Sequence, residues 1–233
     1  MKTFLFDLDG TLLPMDVKKF IEAYSKAVGK HFMRVCNPLK FVKVLWDSTG
    51  KMYQNDGSKT NEEVFWEYFN ANIGKEIKHI EPLFETFYLE QFDKVKSSCG
   101  YNPYANQLIK YLKSKGYRIV IATNPLFPKI GTMKRMKWAG LDPNDFELIT
   151  TYEDFHYAKP NLKYYEEILA KIGEKAENCI MVGNDTREDM CVNQLGMEFI
   201  LVTDDLINKD ELTPECIFEG SLEETYKMIV EKY

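Results

Sequence analysis

Thr3-Phe4-Leu5-Phe6-Asp7-Leu8-Asp9-Gly10-Thr11-Leu12 is the stretch on which the reading of this chain turns. Thr3 to Leu8 is a short apolar run that stops at Asp-Gly, the pattern of a strand closed by a turn. Side chains alternate faces along an extended segment, so Asp7 and Asp9, two residues apart, return to the same side of the chain. Both carboxylates are then placed to address one ligand just beyond the strand.

The rhythm changes after this strand. From about Asp16 to Val95 the pattern is helical and rich in aromatic residues, as expected of an insertion. Thr60-Asn61-Glu62-Glu63 has the spacing of a capping box, which predicts a helix start at Thr60. Val64, Phe65, Tyr68, Phe69 and Ile73 follow as one apolar stripe, and Val17, Phe20, Ile21, Tyr24 and Val28 form another. Several helices packed together are expected there.

From about Pro103 helix and strand patterns alternate. Strands are expected at Tyr117 to Ala122, Phe146 to Thr150, Cys179 to Val182 and Phe199 to Val202, with helices at Ala105 to Lys115, Pro128 to Trp138, Leu162 to Ile172 and Asp189 to Leu195. That alternation builds a parallel sheet covered on both faces. Ser221-Leu222-Glu223-Glu224 is a second capping box and opens a last amphipathic helix. The fold class is therefore α/β, a doubly wound parallel sheet with a helical insertion.

Composition narrows the function. At 233 residues, with 45% hydrophobic, 14% aromatic and 28% charged residues, the chain suits one sizeable globular core or a core carrying a smaller inserted unit. No apolar run approaches a bilayer span, and the run before Asp7 is too short for a signal peptide, so a cytoplasmic protein without a membrane partner is expected. Five scattered cysteines without a C-x-x-C pair argue against both a disulfide framework and a structural zinc site. A net charge of −6 gives no basic footprint for nucleic acid.

In doubly wound sheets functional groups collect beyond the carboxyl ends of the strands. Here those ends carry Asp7 to Thr11, Thr123-Asn124, Lys159-Pro160 and the run Gly183-Asn184-Asp185-Thr186-Arg187-Glu188-Asp189. Two or three carboxylates with water and phosphate make a hard oxygen site suited to Mg²⁺. A phosphoryl group needs positive charge and donors around its oxygens, which Lys159 and the Thr123 hydroxyl are placed to supply beside the ion. An ionised carboxylate can attack phosphorus directly and leave a phosphoaspartate for a second, hydrolytic step. Asp9, next to it, is the candidate proton donor and then base. Its pKa is pulled both ways, up by Asp7 and down by the metal.

These residues closely resemble the four motifs of the haloacid dehalogenase superfamily of phosphohydrolases, in order and across nearly the whole chain, with Phe6-Asp7-Leu8-Asp9-Gly10-Thr11-Leu12 the most specific match. The resemblance implies Asp7 as nucleophile and metal ligand, Asp9 as acid/base with its backbone carbonyl on the metal, and Thr11 supporting Asp9. It further implies that Thr123 and Asn124 meet the phosphoryl group and Lys159 steadies the phosphorylated aspartate. The insertion resembles the family's helical C1 cap, giving a Rossmann-like catalytic core of residues 1–15 and 96–233 and a cap of residues 16–95. An acid at position 9 favours phosphate chemistry over dehalogenation. One departure stands in the fourth motif, where the usual Gly-Asp is split by Asn184. Either Asp185 or Asn184 occupies the ligand position; Asp185 is preferred as the anionic donor, with Asp189 and Asn184 supporting from behind.

Taken singly, each match has a bland reading, a turn for Asp-Leu-Asp-Gly or a strand end for Thr123-Asn124. Their joint order at strand ends is what carries weight. The aromatic residues of the insertion read as helical core, Cys99 as the return from insertion to sheet, and His31, His79 and His156 as too scattered for a metal. Specificity is expected in loops such as Gly50 to Lys59. A hydrolase acting on a small phosphorylated metabolite leads, followed by a sugar-phosphate mutase of the same superfamily and, more remotely, a phosphate-sensing module without turnover.

Overall fold

The computed structural model describes residues 2–74 and 80–233. His79 lies outside them. Strand β1 (Thr3–Phe6) is buried at all four positions, as its unbroken apolar run requires. It pairs in parallel with β2 (Arg118–Ile121) on one side and with β4 (Cys179–Gly183) on the other. Outward from these lie β3 (Leu148–Ile149) beyond β2, then β5 (Glu198–Val202) and β6 (Phe218–Gly220) beyond β4. Among the described residues the sheet thus has six parallel strands in the order β3-β2-β1-β4-β5-β6. The winding reverses between β1 and β4, which opens the crevice in which such sheets hold ligands.

The helices start where local chemistry allows. Asp16 caps α1 (Val17–Phe32) by accepting from the Lys18 and Lys19 amides, and Asn37 with Pro38 opens α2 (Pro38–Met52). Both halves of the capping box form at α3 (Asn61–Ile73), Thr60 with Glu63, and again at Ser221 and Glu224, which begin α8 (Leu222–Lys232). The chain passes through α4 (Glu81–Glu90) and a 3₁₀ segment (Phe92–Ser98) back to the sheet. The exit and the return run side by side, with Met15 bridged to Cys99 and the Gly100 amide donating to the Pro14 carbonyl at 2.8 Å. Next come α5 (Pro103–Ser114), α6 (Lys129–Trp138) and α7 (Leu162–Ile172), the last ended by Gly173 at φ 66°.

Alternation along the strands splits the interior in two. Leu5, Val120, Met181 and Leu201 face α7, whereas Phe4, Phe6, Ile121 and Val182 face a larger core continuous with the aromatic residues of α1 to α4. In that core Phe32 stacks on Phe41 with ring centroids 4.1 Å apart, an arrangement worth about 0.5–1.5 kcal/mol beyond burial alone. No helix among the described residues is long and apolar enough to cross a membrane.

Several elements differ from the sequence expectation. Asp189 to Leu195 is a short 3₁₀ segment (Met190–Leu195) instead of an α-helix, because Gly196 stops it before a cooperative helical nucleus can form. The third strand keeps only two of its five expected residues, and β6 was not expected at all. The loop placed at Gly50 to Lys59 begins only after Met52, since the buried stripe Phe41, Val44, Leu45, Ser48 and Met52 carries α2 through Gly50. His156 contacts Glu167 at 2.8 Å and His31 the Leu83 carbonyl at 3.2 Å. Burial pushes the Cys99 thiol up to about 11, well away from a reactive thiolate.

Candidate active site

Asp7 follows β1 directly, its amide donating to the Val182 carbonyl at 2.9 Å, so its side chain emerges at the crevice between β1 and β4. The turn after it folds back on Leu8, whose carbonyl accepts from the Leu12 and Leu13 amides at 3.0 and 2.8 Å. Gly10 takes φ 88°, and a Cβ there would overlap the Asn184 amide. Only glycine lets the two loops approach so closely. Thr11 then reaches across, within hydrogen-bond distance of Asp7 Oδ2 at 3.2 Å and Asn184 Oδ1 at 3.1 Å.

Lys159 enters from below with 1% of its side chain exposed, 2.8 Å from Asp7 Oδ1 and 2.6 Å from Asp189 Oδ1. Gly183 makes room for this, because a Cβ there would collide with the Asp189 carboxylate. Burial works against the Lys159 charge, but Asp189 and Asp7 outweigh it and hold the ammonium well above its ordinary value. Burial pushes Asp189 up to about 7, with Lys159 opposing. Asn124 ties in a further layer, accepting from the Lys159 amide at 3.2 Å and donating to Glu188 Oε2 at 3.1 Å. Thr123 is buried at the end of β2, its carbonyl accepting from Thr150 at 2.6 Å and from Tyr164 at 2.8 Å.

The structure therefore joins Asp7, Thr11, Asn184, Lys159, Asp189 and Asn124 in one network. Two acids point elsewhere. Asp9 turns to the buried Arg135 of α6, and burial pushes its carboxyl up while Arg135 pulls it down and Asp7 adds to the rise. Asp185 caps its own turn, accepting at Oδ1 from the Arg187 and Glu188 amides at 2.7 and 2.8 Å. Asn184, not Asp185, is the side chain that shares Thr11 with Asp7. Among the described residues no three acid, histidine or cysteine side chains converge as a metal cluster. Asp7, the Asp9 carbonyl and an oxygen from Asn184 or Asp185 remain hard donors of the chemistry that Mg²⁺ takes together with water and phosphate.

Arg135 went unread in the sequence. It lies among Lys134 and Lys137, which marks it as surface, but the buried positions Gly131, Thr132, Arg135 and Trp138 share one helix face. A charge on that stripe was the available signal. Its guanidinium sits 4.5 Å from the Phe127 ring.

A six-stranded parallel sheet with an aspartate at the end of its first strand, salt-bridged to a buried lysine, defines a Rossmann-like α/β core with an acid–base site at its switch point. The chain belongs to the haloacid dehalogenase-like hydrolases, whose family model matches residues 1–190. It is similar to a glyceraldehyde 3-phosphate phosphatase of Methanothermobacter thermautotrophicus, 26% identical over 216 residues that cover 88% of this chain and 87% of that one. It is also similar to the pyrophosphatase PpaX of Halalkalibacterium halodurans, 23% identical over 202 residues, 87% of this chain and 83% of that one. Among solved structures, a HAD phosphatase from Thermococcus onnurineus shares the fold with a TM-score of 0.62 over 98% of both chains, at 20% identity.

Proposed function

We propose that this hydrolase cleaves small phosphomonoesters with Mg²⁺ and Asp7 as the nucleophile. The observation that carries the proposal is the placement of Asp7, buried at the crevice mouth with a charged ammonium on one oxygen and a hydroxyl within reach of the other. Those contacts aim the carboxylate, the group that attacks. The Asp7 oxygen forms a bond to phosphorus as the bond to the leaving alcohol breaks, and Asp9 gives that alcohol its proton. Asp9 then takes a proton from the water that hydrolyses the acyl phosphate, which frees Asp7 and releases phosphate. Lys159 stays charged throughout and offsets negative charge on the phosphorylated aspartate. A bound Mg²⁺ would supply further charge neutralisation at the phosphoryl oxygens.

For the metal, the hydrogen bonds of Thr11 to Asp7 and Asn184 support the register in which Asn184 holds the ligand position and Asp189 lies behind it. Residues 16–95 act as a cap that shields the acyl phosphate from stray water. The names of the two relatives favour a compact phosphorylated metabolite as substrate. Purified protein should release phosphate from a panel of phosphomonoesters only with a divalent cation, and Asp7→Asn should abolish release. Turnover that survives in that variant would refute the assignment.

A further inference from the structure

Between the helical segment and the sheet lies a cavity of about 820 Å³ whose lining includes none of the residues of the Asp7 network. Its walls are aromatic, with Trp46 from α2, Trp66 from α3, Phe84 from α4 and Phe127 from the loop before α6. Much of the hydrogen-bonding capacity around it is already spent. The Trp46 indole donates to Ser25 at 2.9 Å, and the Tyr24 and Tyr88 hydroxyls bond each other at 2.7 Å. What remains to a ligand is chiefly ring surface.

The charges in the lining are one-sided. Among the described residues, four carboxylates, Glu62, Glu81, Glu85 and Glu153, face a single ammonium, Lys129. Lys129 is exposed, and it is its backbone amide that meets Glu153 Oε1, at 2.8 Å. The other oxygen, Glu153 Oε2, is buried with no hydrogen-bond partner among the described residues. Burial and the neighbouring Glu153 hold the half-buried Glu62 above its ordinary value. Arg135 lies behind Phe127 and is engaged by Asp9 on its far side.

An anion here would meet four like charges, and a neutral apolar ligand would leave Glu153 Oε2 without a partner. A cation satisfies both walls at once, since ring faces attract positive charge and the carboxylates neutralise it. We propose that this cavity binds a small organic cation, the primary or quaternary ammonium end of the substrate's alcohol, with Glu62 and Glu153 as its counter-ions. Phe127 stands four residues beyond Thr123, and Arg135 touches both its ring and Asp9, the group that would protonate the leaving alcohol. The inference thus deepens the phosphatase reading and rests on it for the identity of the ligand as substrate.

Binding is testable without turnover, because Trp46 and Trp66 report on the cavity. Full-length protein is titrated with choline and, separately, with its neutral isostere 3,3-dimethylbutan-1-ol, while tryptophan fluorescence is followed at ionic strength fixed with potassium chloride. Choline should give a saturable change at least about tenfold tighter than the isostere. Glu62→Gln and the Glu62→Gln/Glu153→Gln pair should weaken it stepwise while the circular dichroism spectrum stays native. Asp7→Asn should bind choline as the native chain does, which separates failure of this site from failure of the chemistry at Asp7. In turnover, choline should raise KM for the phosphomonoester of an amino alcohol and leave kcat unchanged. Equal binding of the isostere, no saturable change, or binding without competition would overturn the proposal.

Discussion

Lys159 is held with 1% of its side chain exposed between two carboxylates, Asp7 and Asp189. Breaking a buried ion pair by deleting one partner costs about 3–5 kcal/mol. Lys159→Met should therefore lose that much stability near pH 8 in urea denaturation. The deficit should shrink as pH falls, because Asp189, already pushed up to about 7, then takes a proton and sheds the uncompensated charge. A loss under about 1 kcal/mol, or one independent of pH, would contradict this picture. At this scale the sequence was most legible where residue type is dictated by chemistry. Asp7, Thr11 and Lys159 stand at strand ends, where only certain groups would serve the proposed phosphoryl site. Arg135 was hard to read because three cations crowd Lys134-Arg135-Met136-Lys137, and only its place on the buried stripe of α6 sets it apart. The choice between Asn184 and Asp185 turns on side-chain direction, which residue type alone does not supply.

At the scale of the element, period and caps were readable and short edge strands were not. Thr60 and Ser221 announced α3 and α8 because a capping box is a local device that needs no tertiary partner. Strand β6 has three residues and no alternating pattern, and it exists only because β5 offers it an edge. The opposite edge is pinned by Arg118 of β2, which holds Glu147 at 2.6 Å and Glu174 at 2.5 Å. The hydrogen bond from Arg118 lowers the Glu147 carboxyl below its ordinary value of 4.5. A carboxyl depressed in the folded state adds stability above its unfolded value, and that contribution is lost as pH falls through the folded one. Glu147→Gln should accordingly cost under about 1 kcal/mol at neutral pH, since both groups are partly exposed. The gap to the native chain should close below about pH 4. A gap that widens on acidification would show that this pair does not stabilise the edge.

At the scale of the molecule, the helical segment and the sheet share one hydrophobic core, and Asn61 is a polar pin between them. It is fully buried, donates to the Pro125 carbonyl at 3.1 Å and accepts from Asn55 at 2.9 Å, while its amide meets the Phe155 carbonyl at 2.8 Å. Asn61→Ala keeps the backbone bond to Phe155 but takes the side-chain partner from the Pro125 carbonyl and the Asn55 amide, at about 1–3 kcal/mol. For a chain of this size the melting temperature should drop by roughly 2–4 °C for each kcal/mol. An unchanged melting temperature would mean that the contact contributes nothing. The sequence marked an insertion here through its change of period, yet the docking of that insertion was unreadable, since Asn61 followed Thr60 in a cap whose local role already explained it. The most direct test of the whole scheme is to quench turnover with acid in the presence of Mg²⁺ and a hydrolysed phosphomonoester, then map the trapped phosphoryl group by peptide mass spectrometry. One phosphoryl group on the peptide carrying Asp7, absent from Asp7→Asn, is the predicted result; a phosphoryl group on another residue, or none during undiminished turnover, would contradict it.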